Sequence, residues 1–167
     1  LLSATHAAFC ADKSQEWKAG VARTEITPKT LMWMAGYASR TKPAEGKAQD
    51  LYAKALALED GKGKRIVIVS LDLISVPRSL RDKLEATVLR KHGLPREGLL
   101  LNCSHTHCGP ELRTSPVPRP GETPERAQLA QQYSEELGTK LIRLIDSALN
   151  DLAPAKLSFV RARCGFA

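Results

Sequence analysis

The sequence predicts an α/β (α+β) domain in which a mixed β-sheet is packed against helices. Three patterns indicate this fold class. Alternating or continuous β-branched and aliphatic runs, typical of strands, recur along the chain. Two segments repeat apolar side chains every three or four residues, as helices that bury one face do. The 167 residues are enough to enclose one core between these elements.

The first half of the chain reads mainly as strands. Residues 20–27 alternate apolar and polar side chains up to a proline, which predicts a half-buried strand. Residues 51–59 form a second strand, and a glycine-containing turn leads to a third at 65–72, so that these two pair as a central hairpin. The unbroken apolar run at 65–72 predicts burial on both faces. Residues 31–48 form a long structured loop.

The second half of the chain alternates helix and strand. Residues 79–92 form a helix, which Gly93 ends, and residues 98–105 read as another buried strand. A proline-rich loop follows at residues 109–124.

Near the end of that loop Thr123 caps a long helix with Pro124 at its first position, and the helix extends to about Leu149. The alternation at residues 156–163 predicts a closing strand.

Composition and charge narrow the function classes. With 43% hydrophobic and 26% charged residues the chain is not a disordered segment. No apolar run approaches the length of a membrane-spanning helix. Aromatic residues make up 5% and the basic residues are scattered among acidic ones, which argues against a nucleic-acid partner. The net charge of +7 favours an anionic partner such as an acidic membrane surface.

The N-terminal residues read as a targeting segment. Residues 1–11 are apolar and small, and we interpret them as the remnant of a secretory signal peptide, with residues 12–18 as a linker. The alternative is a weakly apolar tail. The signal interpretation predicts a secreted, periplasmic or cell-surface protein.

The side chains best suited to metal binding or catalysis lie between residue 102 and residue 110, where a strand leads into a loop. His105 and His107 are two apart, so on an extended chain they share a face with Cα atoms about 7 Å apart. Two imidazoles so placed can serve one metal ion, or one can bind metal while the other contacts substrate. The alternative is a pair of structural histidines. Cys103 and Cys108 flank the two histidines. Zinc binding, a disulfide between them, or neither role is open for these cysteines.

Asp72 ends the neighbouring strand. Its carboxylate could orient a metal-bound histidine through the other ring nitrogen. The alternative roles are a cap on the strand end or an ion pair with Arg78 or Arg81.

Four stretches of the chain, in order, resemble the N-terminal catalytic domain of the neutral/alkaline non-lysosomal ceramidases, and more closely the bacterial, ceramidase-like branch of that family. The stretches are residues 19–28, 35–38, 51–56 and the Ser104-His105-Thr106-His107-Cys108-Gly109-Pro110 block. The resemblance covers residues 19–167, and implies that these are an incomplete N-terminal part of a larger catalytic domain.

The resemblance implies a zinc-dependent amidohydrolase that cleaves the N-acyl bond of ceramide to give sphingosine and a fatty acid. In the family's pattern His107 binds the zinc ion, and His105 is a catalytic residue that polarises the carbonyl group or stabilises the oxyanion. Zinc lowers the pKa of a bound water to about 7.

One departure from the family's pattern concerns the metal. The family has a further zinc-binding histidine just before the second strand, where this chain has Ala48 or Gln49, depending on the loop length assumed. Gln49 and Asp50 are candidate substitute ligands. The family's remaining ligands, a glutamate and a tyrosine, lie further along than this sequence extends.

Two alternatives to a ceramidase remain open. The missing histidine leaves open a binding or structural protein of the family that has lost catalysis. A related amidase with a different N-acyl substrate is the other alternative, because the part of the family's chain that sets specificity is not in this sequence.

Overall fold

The computed structural model describes residues 17–165, which form one mixed sheet and two long helices. A single 3₁₀ turn at Arg96–Gly98 precedes the fourth strand. The elements in chain order are β1 (Trp17–Glu25), β2 (Tyr52–Glu59), β3 (Arg65–Leu71), α1 (Arg78–His92), β4 (Leu99–Cys103), α2 (Pro124–Asn150) and β5 (Ala153–Ala155). The predicted α+β class is confirmed.

The sheet has the strand order β4-β3-β2-β1-β5. The predicted hairpin of β2 and β3 is confirmed and lies within the sheet between β4 and β1. β4 runs parallel to β3 after the crossover through α1. β1 begins at Trp17, so the last two residues of the predicted linker belong to the sheet. The signal-peptide interpretation and the rest of that linker fall outside the described residues.

Both helices lie on one face of the sheet, where the core forms. The alanines of β2 that point to this face are buried and leave room for α2 to approach closely. β3 contributes its buried alternate residues, and α2 buries the stripe that includes Leu137, Leu141 and Ile145. Thr123 caps α2 as predicted, since its side chain accepts a hydrogen bond from the Arg126 N–H.

The predictions that β3 is buried on both faces and that β4 is another buried strand are wrong for the described residues. Val67 and Val69 are fully buried on the helix face, but Ile66 on the other face is 43% exposed and Leu100 of β4 is 57% exposed. Because α1 and α2 pack on the same side, they leave the second face of the sheet uncovered. An unbroken aliphatic run does not reveal which of its two faces a helix covers.

The predicted closing strand at 156–163 is also wrong. Among residues 17–165 the only pairing near it is the three-residue β5, and Ala155 already lies opposite Trp17, the first residue of β1. Residues from 156 onward therefore have no β1 partner in the described part of the chain, and Phe159 is 91% exposed. Within residues 17–165, neither long helix has an apolar stretch sufficient to cross a bilayer.

Candidate functional site

The site lies at the ends of the parallel strands β3 and β4. The Ser104 N–H donates to the Leu71 carbonyl oxygen, which extends the pairing by one residue before the chain leaves the sheet. His105 then adopts a left-handed backbone with φ 59°, which is uncommon outside glycine. The carboxyl ends of parallel strands are where open sheets place ligands. The histidine block therefore occupies a position suited to a functional site.

A hydrogen bond to the backbone orients the His105 ring. Its Nδ1 donates to the Ile74 carbonyl oxygen at 3.0 Å, which in the neutral imidazole leaves the lone pair on Nε2. The side chain is exposed. A backbone carbonyl on the second ring nitrogen is the arrangement that orients metal-bound histidines.

His107 packs against a different segment of the chain. Its ring lies against Gly36, where an added Cβ would sit 2.5 Å from the histidine Cγ, and it meets the Tyr37 ring edge-on with centroids 4.7 Å apart. The centroids of the His105 and His107 rings are 5.2 Å apart. Nδ1 of His107 is buried and has no hydrogen-bond partner among residues 17–165.

Arg40 ties the two segments together. Its Nη2 donates to the His107 carbonyl oxygen at 2.5 Å, and its Nε donates to the Gly36 carbonyl oxygen at 3.2 Å. The guanidinium lies 5.2 Å from the centroid of the Tyr37 ring. The loop at 35–40 and the histidine block are thus one structural unit.

The sequence did not single out Arg40 or the contact of Gly36 with His107. Gly36 has φ 78° and Tyr37 has φ 48°, so both adopt the left-handed backbone. The sequence signal for this contact was a glycine followed by an aromatic residue within a long loop.

Backbone hydrogen bonds hold this loop in place. The Ala35 N–H donates to the Gly109 carbonyl oxygen at 2.9 Å, and the Glu111 N–H donates to that of Trp33 at 2.8 Å. Met34 and Pro110 form a bridge between these two bonds. The long loop predicted between the first two strands is therefore ordered by the segment that follows the histidines.

Asp72 does not contact the histidines through its carboxylate. Its Oδ2 accepts the Tyr52 N–H at 2.9 Å, and its own N–H donates to the Tyr52 carbonyl oxygen. The structure thus supports the predicted alternative of a strand-end cap. The predicted role of orienting a metal-bound histidine is not seen for Asp72, and the His105 ring is hydrogen-bonded to the Ile74 carbonyl oxygen instead.

Ala48 and Gln49 line a cavity of about 310 Å³ together with Thr106 and Cys108 of the histidine block. Asp50 is engaged elsewhere, because its Oδ1 accepts from Lys47 Nζ at 2.5 Å. The hydrogen bond from Lys47 is the main reason that the pKa of Asp50 is below its usual value. The fold therefore brings both positions of the missing histidine beside the block, while Asp50 is already paired.

The walls of this cavity are mostly apolar. Apart from the residues just named, they include Leu31, Met32, Met34, Leu51 and Pro110. An apolar cavity with a few polar groups at one side is the usual form of a small-molecule site.

The described residues do not form a complete metal site by themselves. Across residues 17–165 no three histidine, cysteine, aspartate or glutamate side chains converge on one point. Catalytic zinc takes three protein ligands, and the histidine block offers two imidazoles. Cys103 and Cys108 are free thiols, and burial raises the pKa of Cys103, which makes it a poor ligand.

Comparisons with curated proteins find similar sequences. The neutral ceramidases of Drosophila pseudoobscura pseudoobscura and Drosophila melanogaster are each 28% identical to the chain over 105 residues, which is 61% of this chain and 15% of each relative. The chain thus spans about a seventh of the length of these curated relatives.

Solved structures share the fold. A ceramidase complexed with C2 superposes with a TM-score of 0.68, and the neutral ceramidase from Pseudomonas aeruginosa with 0.64. Each is 23% identical, and the match covers 84% of this chain and 22% of the other. The family described as neutral/alkaline non-lysosomal ceramidase, N-terminal, matches residues 17–163. With both histidines and the loop that packs on them inside that match, the chain belongs to the neutral/alkaline non-lysosomal ceramidase family.

Proposed function

We propose that this chain forms the N-terminal part of a zinc-dependent amide hydrolase that cleaves the N-acyl bond of ceramide. The observation that carries the proposal is the pair of imidazoles, with centroids 5.2 Å apart, on a block that also lines an apolar cavity. The names of the matched relatives, neutral ceramidase, support the substrate. The apolar cavity suits the acyl chain of a lipid.

The contacts favour exchanging the two histidine roles that the resemblance implies. His105 has a carbonyl partner on Nδ1 and a free Nε2, as metal ligands do. Nδ1 of His107 lies 2.6 Å from the site of a Cβ at Gly36 and has no partner among the described residues. We therefore assign metal binding to His105 and contact with the substrate carbonyl group to His107.

A bound zinc ion would supply an activated water and polarise the scissile carbonyl group. The chain's own residues do the positioning. Gly36 and Tyr37 fix the plane of the His107 ring, and Arg40 holds its backbone. The His107 imidazole can then donate a hydrogen bond to the oxyanion that develops during hydrolysis.

The test compares single alanine variants in the protein that carries this chain. His105→Ala should abolish zinc binding, measured by metal analysis, together with fatty-acid release from a short-chain ceramide. His107→Ala should keep the zinc and lower kcat by about 100-fold or more. His92→Ala at the end of α1 is the matched control and should change neither.

Three results would overturn these assignments. Loss of zinc in His107→Ala with retention in His105→Ala restores the roles implied by the resemblance. Unchanged zinc and unchanged hydrolysis in both variants rejects the zinc hydrolase. Activity on N-acyl amino acids or N-acyl sugars, without activity on ceramide, replaces the substrate and keeps the reaction.

A second candidate is a binding protein of the family that has lost catalysis. It is favoured by Ala48 and Gln49, which line the cavity beside the block yet supply no imidazole. Gln49→His should then raise zinc affinity by at least tenfold, whereas an unchanged affinity counts against a decayed site.

We also propose that the protein is secreted, periplasmic or at the cell surface and acts at an anionic membrane. The apolar residues 1–11 and the net charge of +7 support this. Cosedimentation with anionic but not neutral lipid vesicles is the expected result.

A further inference from the structure

A second cavity, of about 470 Å³, lies beside the loop that packs on His107. Met34 lines both this cavity and the apolar one. The walls of the second cavity are different in character, because Arg40, Arg119 and Arg126 line it together with one acidic residue, Glu111.

The arginines around this cavity outnumber their carboxylate partners. Glu111 is shared by Arg126 at 2.8 Å, Arg113 at 2.9 Å and Arg119 at 3.6 Å. Glu122 is shared by Arg113 and Arg126. Three guanidinium groups therefore share two carboxylates, and the contact of Arg119 is the weakest in the group.

Arg40 adds a further unneutralised cation. Its guanidinium donates to two carbonyl oxygens and contacts the Met34 sulfur, and no carboxylate pairs with it within the described range. Arg119 is 68% exposed, so its guanidinium is free to turn toward a ligand. The wall of the cavity thus carries two positive charges in excess of its acidic residues, supplied by Arg40 and Arg119.

Aromatic rings complete the wall. The Arg126 guanidinium lies 4.0 Å above the Trp33 ring, which holds it in place, and Tyr37 lines the same cavity. A guanidinium fixed by stacking and ion pairs binds planar or tetrahedral oxyanions through paired N–H donors. Ile74, whose carbonyl orients His105, lines the same cavity.

We infer that this cavity is an oxyanion-binding site, which takes the carboxylate or phosphate group of a ligand next to the histidine block. The inference goes beyond the proposed hydrolysis, because it concerns binding of an anionic group and needs neither zinc nor turnover.

The test uses three probes at constant ionic strength: inorganic phosphate, octanoate and the neutral octanamide. Trp33 reports binding by fluorescence in a Trp17→Phe background. We expect saturable binding of phosphate or octanoate, and Arg119→Gln should weaken it by about tenfold, the value of one charged hydrogen bond. Arg90→Gln, an exposed arginine of α1 away from the cavity, is the matched control and should leave the affinity unchanged.

The probes also separate the two sources of the anion. Octanoate binding at least tenfold tighter than phosphate indicates an anionic group on an apolar chain, and phosphate binding equally well indicates a free oxyanion. Either result supports the site. Absence of saturable binding, equal losses in both arginine variants, or octanamide binding as tightly as octanoate would overturn it. Because this experiment measures binding and not turnover, its result can be interpreted even if the zinc hydrolase proposal fails.

Discussion

The ring of His107 lies directly against the backbone of Gly36, so close that a Cβ at residue 36 would sit 2.5 Å from the histidine Cγ and 2.6 Å from Nδ1. Real Cβ atoms do not approach other heavy atoms at this distance. Gly36 also has φ 78°, a backbone that L side chains rarely adopt. The position of the histidine ring therefore depends on the absence of a side chain at a residue about 70 positions earlier in the sequence.

Gly36→Ala should destabilise the protein and displace His107. The methyl group meets the ring, and the left-handed backbone adds strain, so we expect the free energy of unfolding to fall by about 2–4 kcal/mol. Urea denaturation measures the loss, and the imidazole NMR signals of His107 should shift.

Gly63→Ala is the matched control. Gly63 has the same φ of 78°, but no atom lies within 4 Å of an added Cβ. The Gly63→Ala substitution should lower the free energy of unfolding by about 1 kcal/mol, from backbone strain alone. Equal losses in the two variants would mean that the contact with His107 contributes nothing.

Arg40→Lys should loosen the loop without removing its charge. An ammonium group cannot span the Gly36 and His107 carbonyl oxygens as the planar guanidinium does. We expect a loss of about 1–2 kcal/mol of unfolding free energy. Faster amide hydrogen exchange at residues 36–38 than in the parent protein should accompany it. Stability and exchange equal to those of the parent would show that the charge alone suffices.

Glu111→Ala should strongly destabilise the fold. Glu111 and Arg113 are only 7% and 6% exposed, and removing the carboxylate leaves the Arg113 charge buried with one partner fewer. We expect a loss of about 3 kcal/mol or more by chemical denaturation. Glu97→Ala, at an exposed position in the 3₁₀ turn, should stay within about 0.5 kcal/mol of the parent.

Local sequence signals predicted most of the fold. The turn at residues 60–63 specified the hairpin, and Thr123 with Pro124 specified the start of α2, because each depends on neighbours in the chain. The uncovered sheet face and the absent closing strand depend on distant packing, which such patterns do not encode. The histidine block was found from its spacing, but the Gly36 contact and the Arg40 clamp join segments about 70 residues apart.

Asp146 makes the packing of α1 on α2 sensitive to acid. Its carboxylate accepts from Lys91 Nζ at 2.5 Å and pairs with His92 Nε2 at 2.6 Å. Burial raises the pKa of Asp146, but the hydrogen bonds and charges of Lys91 and His92 outweigh it and leave the pKa below its usual value. A carboxyl group whose pKa is lowered by folding stabilises the protein above its unfolded pKa of about 3.9 and loses that effect as the pH falls through the folded pKa. Asp146→Asn should therefore lower the free energy of unfolding by about 1 kcal/mol at pH 7 and by progressively less below pH ~4, as measured by urea denaturation across that range.

Asp82→Asn, at an exposed position of α1, is the control and should show no such pH-dependent difference. If the loss of stability in Asp146→Asn stays the same at the acid end of the range, the carboxylate charge is not its source.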